Sequence, residues 1–170
     1  MKKLTSKELN LAKNKSSNLL NWRGQFSPDF VENIVKKYTR KNSIIYDPFI
    51  GSGTTAYVSL KLGRNVIGNE LNPSAFYLSN IYRLIYLSKK RRIDLLQKTK
   101  QIIFEKSFKF QKLFLNNNKM KNEIMILIKY LVVVSYDESD SKFNQNLKIN
   151  FNKIEKIIFN FSITKNNFKL

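Results

Sequence analysis

Two carboxylates and two glycines carry the chemistry of this chain. Asp47 and Glu70 lie 23 residues apart, and Gly51 and Gly53 stand between them in the run Asp47-Pro48-Phe49-Ile50-Gly51-Ser52-Gly53-Thr54-Thr55. Without a Cβ, a glycine can take φ values closed to other residues and lets a ligand approach the main chain. Glu70 follows Gly53 by 17 residues, close to the roughly 20-residue offset at which an acid grips ribose hydroxyls. The pattern is that of a cradle for a nucleotide-type cofactor.

The elements that must position these residues can be read around them. Ile44–Tyr46 is apolar and β-prone, a short buried strand of a parallel sheet, and Pro48 forces the chain out of that sheet. A helix is expected from Thr54, with Val58, Leu60 and Leu62 on its apolar side and Gly63 as a left-handed stop. Val66–Asn69 then forms a second strand ending on Glu70, which completes a β-α-β unit. Upstream, Ser27-Pro28-Asp29 is a helix start, followed by the stripe Phe30, Val31, Ile34, Val35 and Tyr38. Trp22, just before it, suits a core-edge anchor as well as a functional role.

Downstream, Asn72-Pro73 opens another helix, apolar over most of its circumference from Phe76 to Leu87. Lys89-Lys90-Arg91-Arg92 falls at its expected C-terminal end, where cations favour the dipole; the cluster reads either as a solvated helix end or as a DNA-backbone contact. Residues 93–115 are expected to be helical, with Phe104, Phe108, Phe110 and Phe114 filling a core, and Asn116–Asn118 to be a loop. Met120–Val134 suits a helix, although Val132-Val133-Val134 leaves a strand open. Asp137, Glu138 and Asp140 form an acidic turn rather than a metal site, and a last helix is expected over Asn152–Asn160.

A chain of 170 residues with 42% hydrophobic residues can build one domain with a core. It has no cysteine and no histidine, which excludes disulfides, thiolate or imidazole zinc sites, Ser-His and Cys-His nucleophiles, and covalent thiolate attack on a base. The absence of a long apolar run and the polar start lead us to expect a soluble, cytoplasmic chain without a metal or a membrane anchor. The net charge of +19 is uneven: residues 1–40 carry 9 basic and 3 acidic side chains, residues 41–88 carry 4 and 2, and residues 89–170 carry 18 and 7. Basic flanks around a nearly neutral centre suit a phosphate-bearing partner. A Lys-, Asn-, Ile- and Phe-rich chain is also what an AT-rich genome encodes.

The segment "DPFIGSGTT", followed by "KLGRNVIGNELNPSAF" over Lys61–Phe76, resembles the S-adenosyl-L-methionine (AdoMet) motif of the DNA amino-methyltransferases, which modify adenine N6 or cytosine N4. "NWRGQFSPDFVENIVKKYT", over Asn21–Thr39, resembles that family's other AdoMet-contacting motif. The resemblance covers about residues 19–92. It implies an α/β fold: part of a Rossmann-like methyltransferase sheet, followed by a mainly helical C-terminal segment. The implied organisation is a basic arm at 1–21, an AdoMet-binding part at 22–92 and a basic helical segment at 93–170. The resemblance also implies that Phe26, Ser27 and Pro28 lie by the methionine end of the cofactor. Asp47, Phe49, Gly51, Ser52 and Gly53 would hold the methionine moiety with Thr54 and Thr55 close by, and Glu70 would take the ribose, with Asn72 just beyond it.

The same resemblance leaves the acceptor side empty. The family flips its target base and holds the amino group with an Asp/Asn-Pro-Pro-aromatic motif. The prolines here are Pro28, Pro48 and Pro73, no two of them adjacent. No catalytic residue is therefore assigned. The expectation is one part of a truncated or split site-specific DNA methyltransferase of a restriction-modification type, with DNA as partner and a complementary segment or subunit carrying the catalytic motif. Two alternatives are a fragment of an RNA methyltransferase and a non-catalytic, basic nucleic-acid-binding descendant.

Overall fold

Ser27 starts the first long helix of the computed structural model, which describes residues 3–9, 24–104 and 122–159. Its hydroxyl accepts from the Phe30 N–H at 3.2 Å, and Pro28 follows at the first helical position, as the Ser-Pro-Asp signature requires. The described residues fall into two compact units that divide between Tyr82 and Arg83.

In the first unit, α1 is a single turn (Ser6–Leu9), α2 spans Pro28–Tyr38, and β1 (Ile44–Asp47), α3 (Thr54–Lys61) and β2 (Asn65–Gly68) follow, then α4 (Pro73–Asn80). The strands β1 and β2 pair in parallel, with Ile44 opposite Asn65, Ile45 opposite Val66, Tyr46 opposite Ile67 and Asp47 opposite Gly68. Val31, Val35 and Val58 form a buried cluster, joined by Phe30, Ile45, Tyr57 and Leu62. The apolar stripe of α2 thus packs with α3 against one face of the strand pair.

A turn and a capping box tie these elements together. Gly63 has φ +74°, the left-handed stop expected after α3. Arg64, buried in the next position, donates to the Leu62 and Thr39 carbonyls at 2.6 and 2.9 Å and to the Thr39 hydroxyl at 3.1 Å. One guanidinium therefore ties the α3–β2 turn to the end of α2, a use of its fan of donors. At the other end, Thr5 and Glu8 form a reciprocal capping box, with the Thr5 N–H donating to Glu8 Oε2 at 2.7 Å. Lys37 donates to the same carboxylate at 2.9 Å, which fastens α1 to α2.

The strand pair departs from expectation in one respect. We expected β1 to be buried, yet Ile44 and Tyr46 are 67% and 59% exposed, and Ile67 opposite Tyr46 is 55% exposed. Side chains alternate across a sheet, so these three share the face opposite α2 and α3, and of the apolar strand side chains, Ile45 and Val66 point at the packed side.

After α4, six residues form a 3-10 turn, Ile81–Tyr86, so the single long helix expected through Leu87 is broken. The second unit contains α5 (Lys89–Phe104), α6 (Asn122–Ser135) and α7 (Asp140–Phe159), which pack pairwise on one another. Lys89-Lys90-Arg91-Arg92, expected to end a helix, instead open one: Ser88 caps α5, accepting from the Arg91 and Arg92 N–H groups at 3.3 and 2.9 Å. The Ser88 cap decides the outcome over the unfavourable placement of cations in the first turn.

Val132–Val134 is helical, since Leu127, Ile128 and Leu131 keep helical spacing and are fully buried. The last helix starts 12 residues earlier than expected, because Leu147, Phe151, Ile154 and Ile158 lie on one helical stripe. Phe151 packs edge-on against Phe104 at 5.6 Å between ring centres. The Asp137 carboxylate closes the acidic turn by accepting from the Ser139 N–H at 3.0 Å. Tyr130 is core, its hydroxyl pushed up to about 12 by burial. The expectations for Trp22, Phe108, Phe110, Phe114, the Asn116–Asn118 loop and most of the basic arm lie outside the described residues. Among those described, no helix is long and apolar enough to cross a membrane, and no group of three or more carboxylates is placed to hold a metal.

Candidate cofactor-binding site

The turn between β1 and α3 is built mostly from main-chain groups. Asp47 ends β1, and its Oδ1 accepts from the Phe49 N–H at 3.0 Å, an Asx turn that lets the chain leave the sheet at Pro48. Asn69 continues the ladder just beyond the strands, donating its N–H to the Asp47 carbonyl at 3.0 Å and accepting from the Ile50 N–H at 3.0 Å. The Gly53 N–H donates to the Ile50 carbonyl at 2.9 Å, which closes the loop into α3. Gly51 and Gly53 both have positive φ, +55° and +94°, so the two glycines singled out in the sequence are those the geometry requires.

Glu70 closes the ring. Its Oε2 accepts from the Gly51 N–H at 2.8 Å and its Oε1 from the Asn72 N–H at 2.7 Å. Asn72 in turn caps α4, accepting from the Ser74 N–H at 2.9 Å. The acid at the end of the second strand and the glycine turn after the first are therefore directly bonded. Each carboxylate oxygen carries two lone pairs, so each can still accept from a ligand.

The environments of the two glycines differ. A Cβ at Gly51 would meet one atom, the Phe49 carbonyl oxygen at 3.9 Å, so the space over Gly51 is open. A Cβ at Gly53 would lie 2.5 Å from the Tyr82 ring and 3.2 Å from the Ser79 Cα. Gly51 thus leaves room for a ligand, while Gly53 leaves room for the protein's own α4 and Tyr82. Gly68 packs likewise, since a Cβ there would collide with the Ile50 side chain.

The remaining expected residues sort by position. Ser52 is buried in the loop, Thr54 is buried at the start of α3, and Thr55 is half-buried. Phe49 is 84% exposed at the rim. The segment before α2 reaches the loop through the Gln25 side-chain amide, which donates to the Ser52 hydroxyl. Ser27 caps α2, Pro28 is buried at its start, and the exposed Phe26 ring lies 5.4 Å from that of Phe30.

Sequence reasoning missed Gln25, Tyr82 and Ile50. A glycine inside a strand signals close backbone approach, so Gly68 could have pointed to Ile50. Nothing in the sequence marks Gln25 or Tyr82.

Residues 4–81 match the DNA methylase family model. The chain is similar to the type II methyltransferase M.MjaII of Methanocaldococcus jannaschii, at 35% identity over 83 residues, which is 47% of this chain and 16% of that protein. It is also similar to M.BglI of Bacillus subtilis, at 30% identity over 94 residues, 55% of this chain and 27% of that protein. A shorter stretch of 44 residues is 48% identical to M1.MboII of Moraxella bovis, covering 26% of this chain and 17% of that protein. The chain thus spans well under a third of the length of each of these relatives. No solved structure matches it.

Proposed function

The N-terminal part of this chain belongs to the DNA amino-methyltransferase family, and from that premise we propose that the loop between β1 and α3 binds S-adenosyl-L-methionine for methyl transfer to an exocyclic amino group of DNA, adenine N6 or cytosine N4. The observation that carries this reading is the bond from the Gly51 N–H to Glu70 beside open space over Gly51. It sets a fixed carboxylate and an approachable main chain side by side, which is what a nucleoside with a charged tail needs.

The donor set fits that cofactor. Gly51, Ser52 and Gly53 supply the loop that would receive the methionine part, with Asp47 fixing how that loop leaves the strand. Glu70, with accepting capacity left on both oxygens, would receive the ribose hydroxyls, and its bonds to Gly51 and Asn72 hold it there. When bound, AdoMet supplies a methyl group on a sulfonium sulfur, ready for in-line displacement. This chain's part is therefore orientation of the donor. Phe26, Ser27 and Pro28, joined to the loop through Gln25 and Ser52, would border the methionine end.

In functional terms we assign residues 1–21 as a basic arm, residues 22–92 as the AdoMet-binding part of a Rossmann-like methyltransferase and residues 93–170 as a basic helical segment. The acceptor-side Asp/Asn-Pro-Pro-aromatic motif has no counterpart among these 170 residues. We assign it to a complementary segment or subunit.

Titration calorimetry tests the reading. The full chain is expected to take up AdoMet at one saturable site, and Glu70→Ala to lose about tenfold or more in affinity, as for removal of a charged hydrogen-bond acceptor. Equal uptake by the wild-type chain and Glu70→Ala would overturn it.

A further inference from the structure

The outward face of α5 presents polar and charged side chains that neither the core nor the cofactor loop uses. Arg92, Leu95, Leu96, Thr99 and Ile103 turn inward and are buried. At 100° per residue, Lys90, Gln97 and Gln101 fall on the opposite side together with Asp94; Lys100 and Phe104 flank that side, and all are exposed.

The charges on and beside this face are not equivalent. Asp94 is paired with Lys98 at 2.6 Å and Glu123 with Arg91 at 2.5 Å, so the nearby acids are neutralised. Lys89 lies over the Phe159 ring at 4.6 Å. Lys90 and Lys100 make no ion pair among the described residues. Lys90 also sits in the first turn of α5, where the helix dipole disfavours a cation. Helix stability does not account for it.

We propose that this face of α5 reads duplex DNA from the major groove, with Lys90 and Lys100 on backbone phosphates and the Gln97 and Gln101 amides on adenine edges. A glutamine amide matches the N6 donor and N7 acceptor of adenine. The major groove admits a helix. From Lys90 to Gln101 the face runs about 17 Å at 1.5 Å per residue, the length of about five base pairs at 3.4 Å each. Cations that set position and amides that set sequence are the division of labour such interfaces use. The proposal rests on the reading above for its expectation of a DNA partner.

The test is fluorescence anisotropy of the full chain on labelled duplexes, one a random-sequence pool and one enriched from it by rounds of binding. The variant K90A/K100A should bind both duplexes about tenfold or more weakly, with the salt slope reduced by about two, one per phosphate lost. K90R/K100R should restore binding. Q97A/Q101A should bind the random pool within about twofold of wild type yet lose about fivefold or more on the enriched duplex. Unchanged melting temperatures check that the variants fold.

Unchanged binding by K90A/K100A, equal losses on both duplexes for Q97A/Q101A, or equal competition by single-stranded DNA or RNA would each overturn the proposal. AdoMet titrations run in parallel separate the two readings. Absence of DNA binding with AdoMet uptake intact sinks this proposal alone, and loss of AdoMet uptake with duplex binding intact sinks the cofactor reading alone.

Discussion

The Glu70 carboxylate is bonded to the Gly51 N–H at 2.8 Å, joining the acid after the second strand to the glycine turn after the first. One side chain thus fixes the loop from across the strand pair. Glu70→Ala removes the acceptor for two main-chain donors, at Gly51 and Asn72. Each charge-assisted bond contributes about 1.5–3 kcal/mol, and exposure of the site lets water replace part of it. We expect urea denaturation to show a loss of about 1–3 kcal/mol. Glu70→Gln, which keeps a carbonyl acceptor, should recover part of that stability and less of the AdoMet uptake.

Gly53 makes a different demand. With φ +94° and the Tyr82 ring 2.5 Å from where a Cβ would stand, Gly53→Ala meets both backbone strain and a clash. Left-handed geometry costs about 1–2 kcal/mol and overpacking about 1–3 kcal/mol. The expected loss is about 2–5 kcal/mol by denaturation. Removing the ring should relieve the clash and leave the strain, so G53A in a Tyr82→Ala background should cost less than G53A alone. Equal costs in the two backgrounds would show that the ring is not the obstacle.

Much of this site was legible because its signals are local. The Asp47-Pro48 exit, the glycine spacing, the Ser27 and Asn72 caps and the Gly63 stop each follow from chemistry within a few residues, and each stands where the sequence placed it. What depends on distant partners was not legible. Gln25 reaches Ser52 across 27 positions, and Tyr82 meets Gly53 across 29. The helix boundary at Ser88 was missed because the four cations after it, Lys89–Arg92, favour a helix C-terminus by their charge and so read as the end of the preceding helix. The exposure of Ile44 and Tyr46 was missed for a related reason: an apolar strand specifies that it wants cover on both faces and says nothing about what supplies it.

That exposed face makes its own prediction. Ile44, Tyr46 and Ile67 share one side of the strand pair, and Leu71, just beyond β2, is 96% exposed. Contiguous apolar surface on a short sheet binds hydrophobic dyes and promotes association. The purified chain should enhance the fluorescence of an anilinonaphthalene dye, and I44K/I67K should reduce that enhancement several-fold with the helical circular dichroism unchanged. A complementary methyltransferase segment, if it completes the sheet, should displace the dye from the wild-type chain. An unaltered dye signal in I44K/I67K would show that the face is not the binding surface.

The arm formed by α1 provides a pH-dependent contact. The main-chain N–H of Thr5, followed by Lys37 and the Thr5 hydroxyl, lowers the Glu8 carboxyl from its usual 4.5 to about 2. A depressed carboxylate stabilises the folded form above its unfolded value, and that contribution disappears as pH falls from about 4.5 through about 2. Attachment of α1 to α2 should therefore hold at neutral pH and weaken across that acidic window. Carbon-detected NMR of the Glu8 carboxyl should give a midpoint near 2, and Lys37→Ala should raise it while leaving the Thr5 contribution in place. High salt should act in the same direction, since the carboxylate is partly accessible to solvent and the pair is screened. A Glu8 midpoint at the ordinary carboxylate value in the wild-type chain would mean that α1 does not rest on Lys37 in solution.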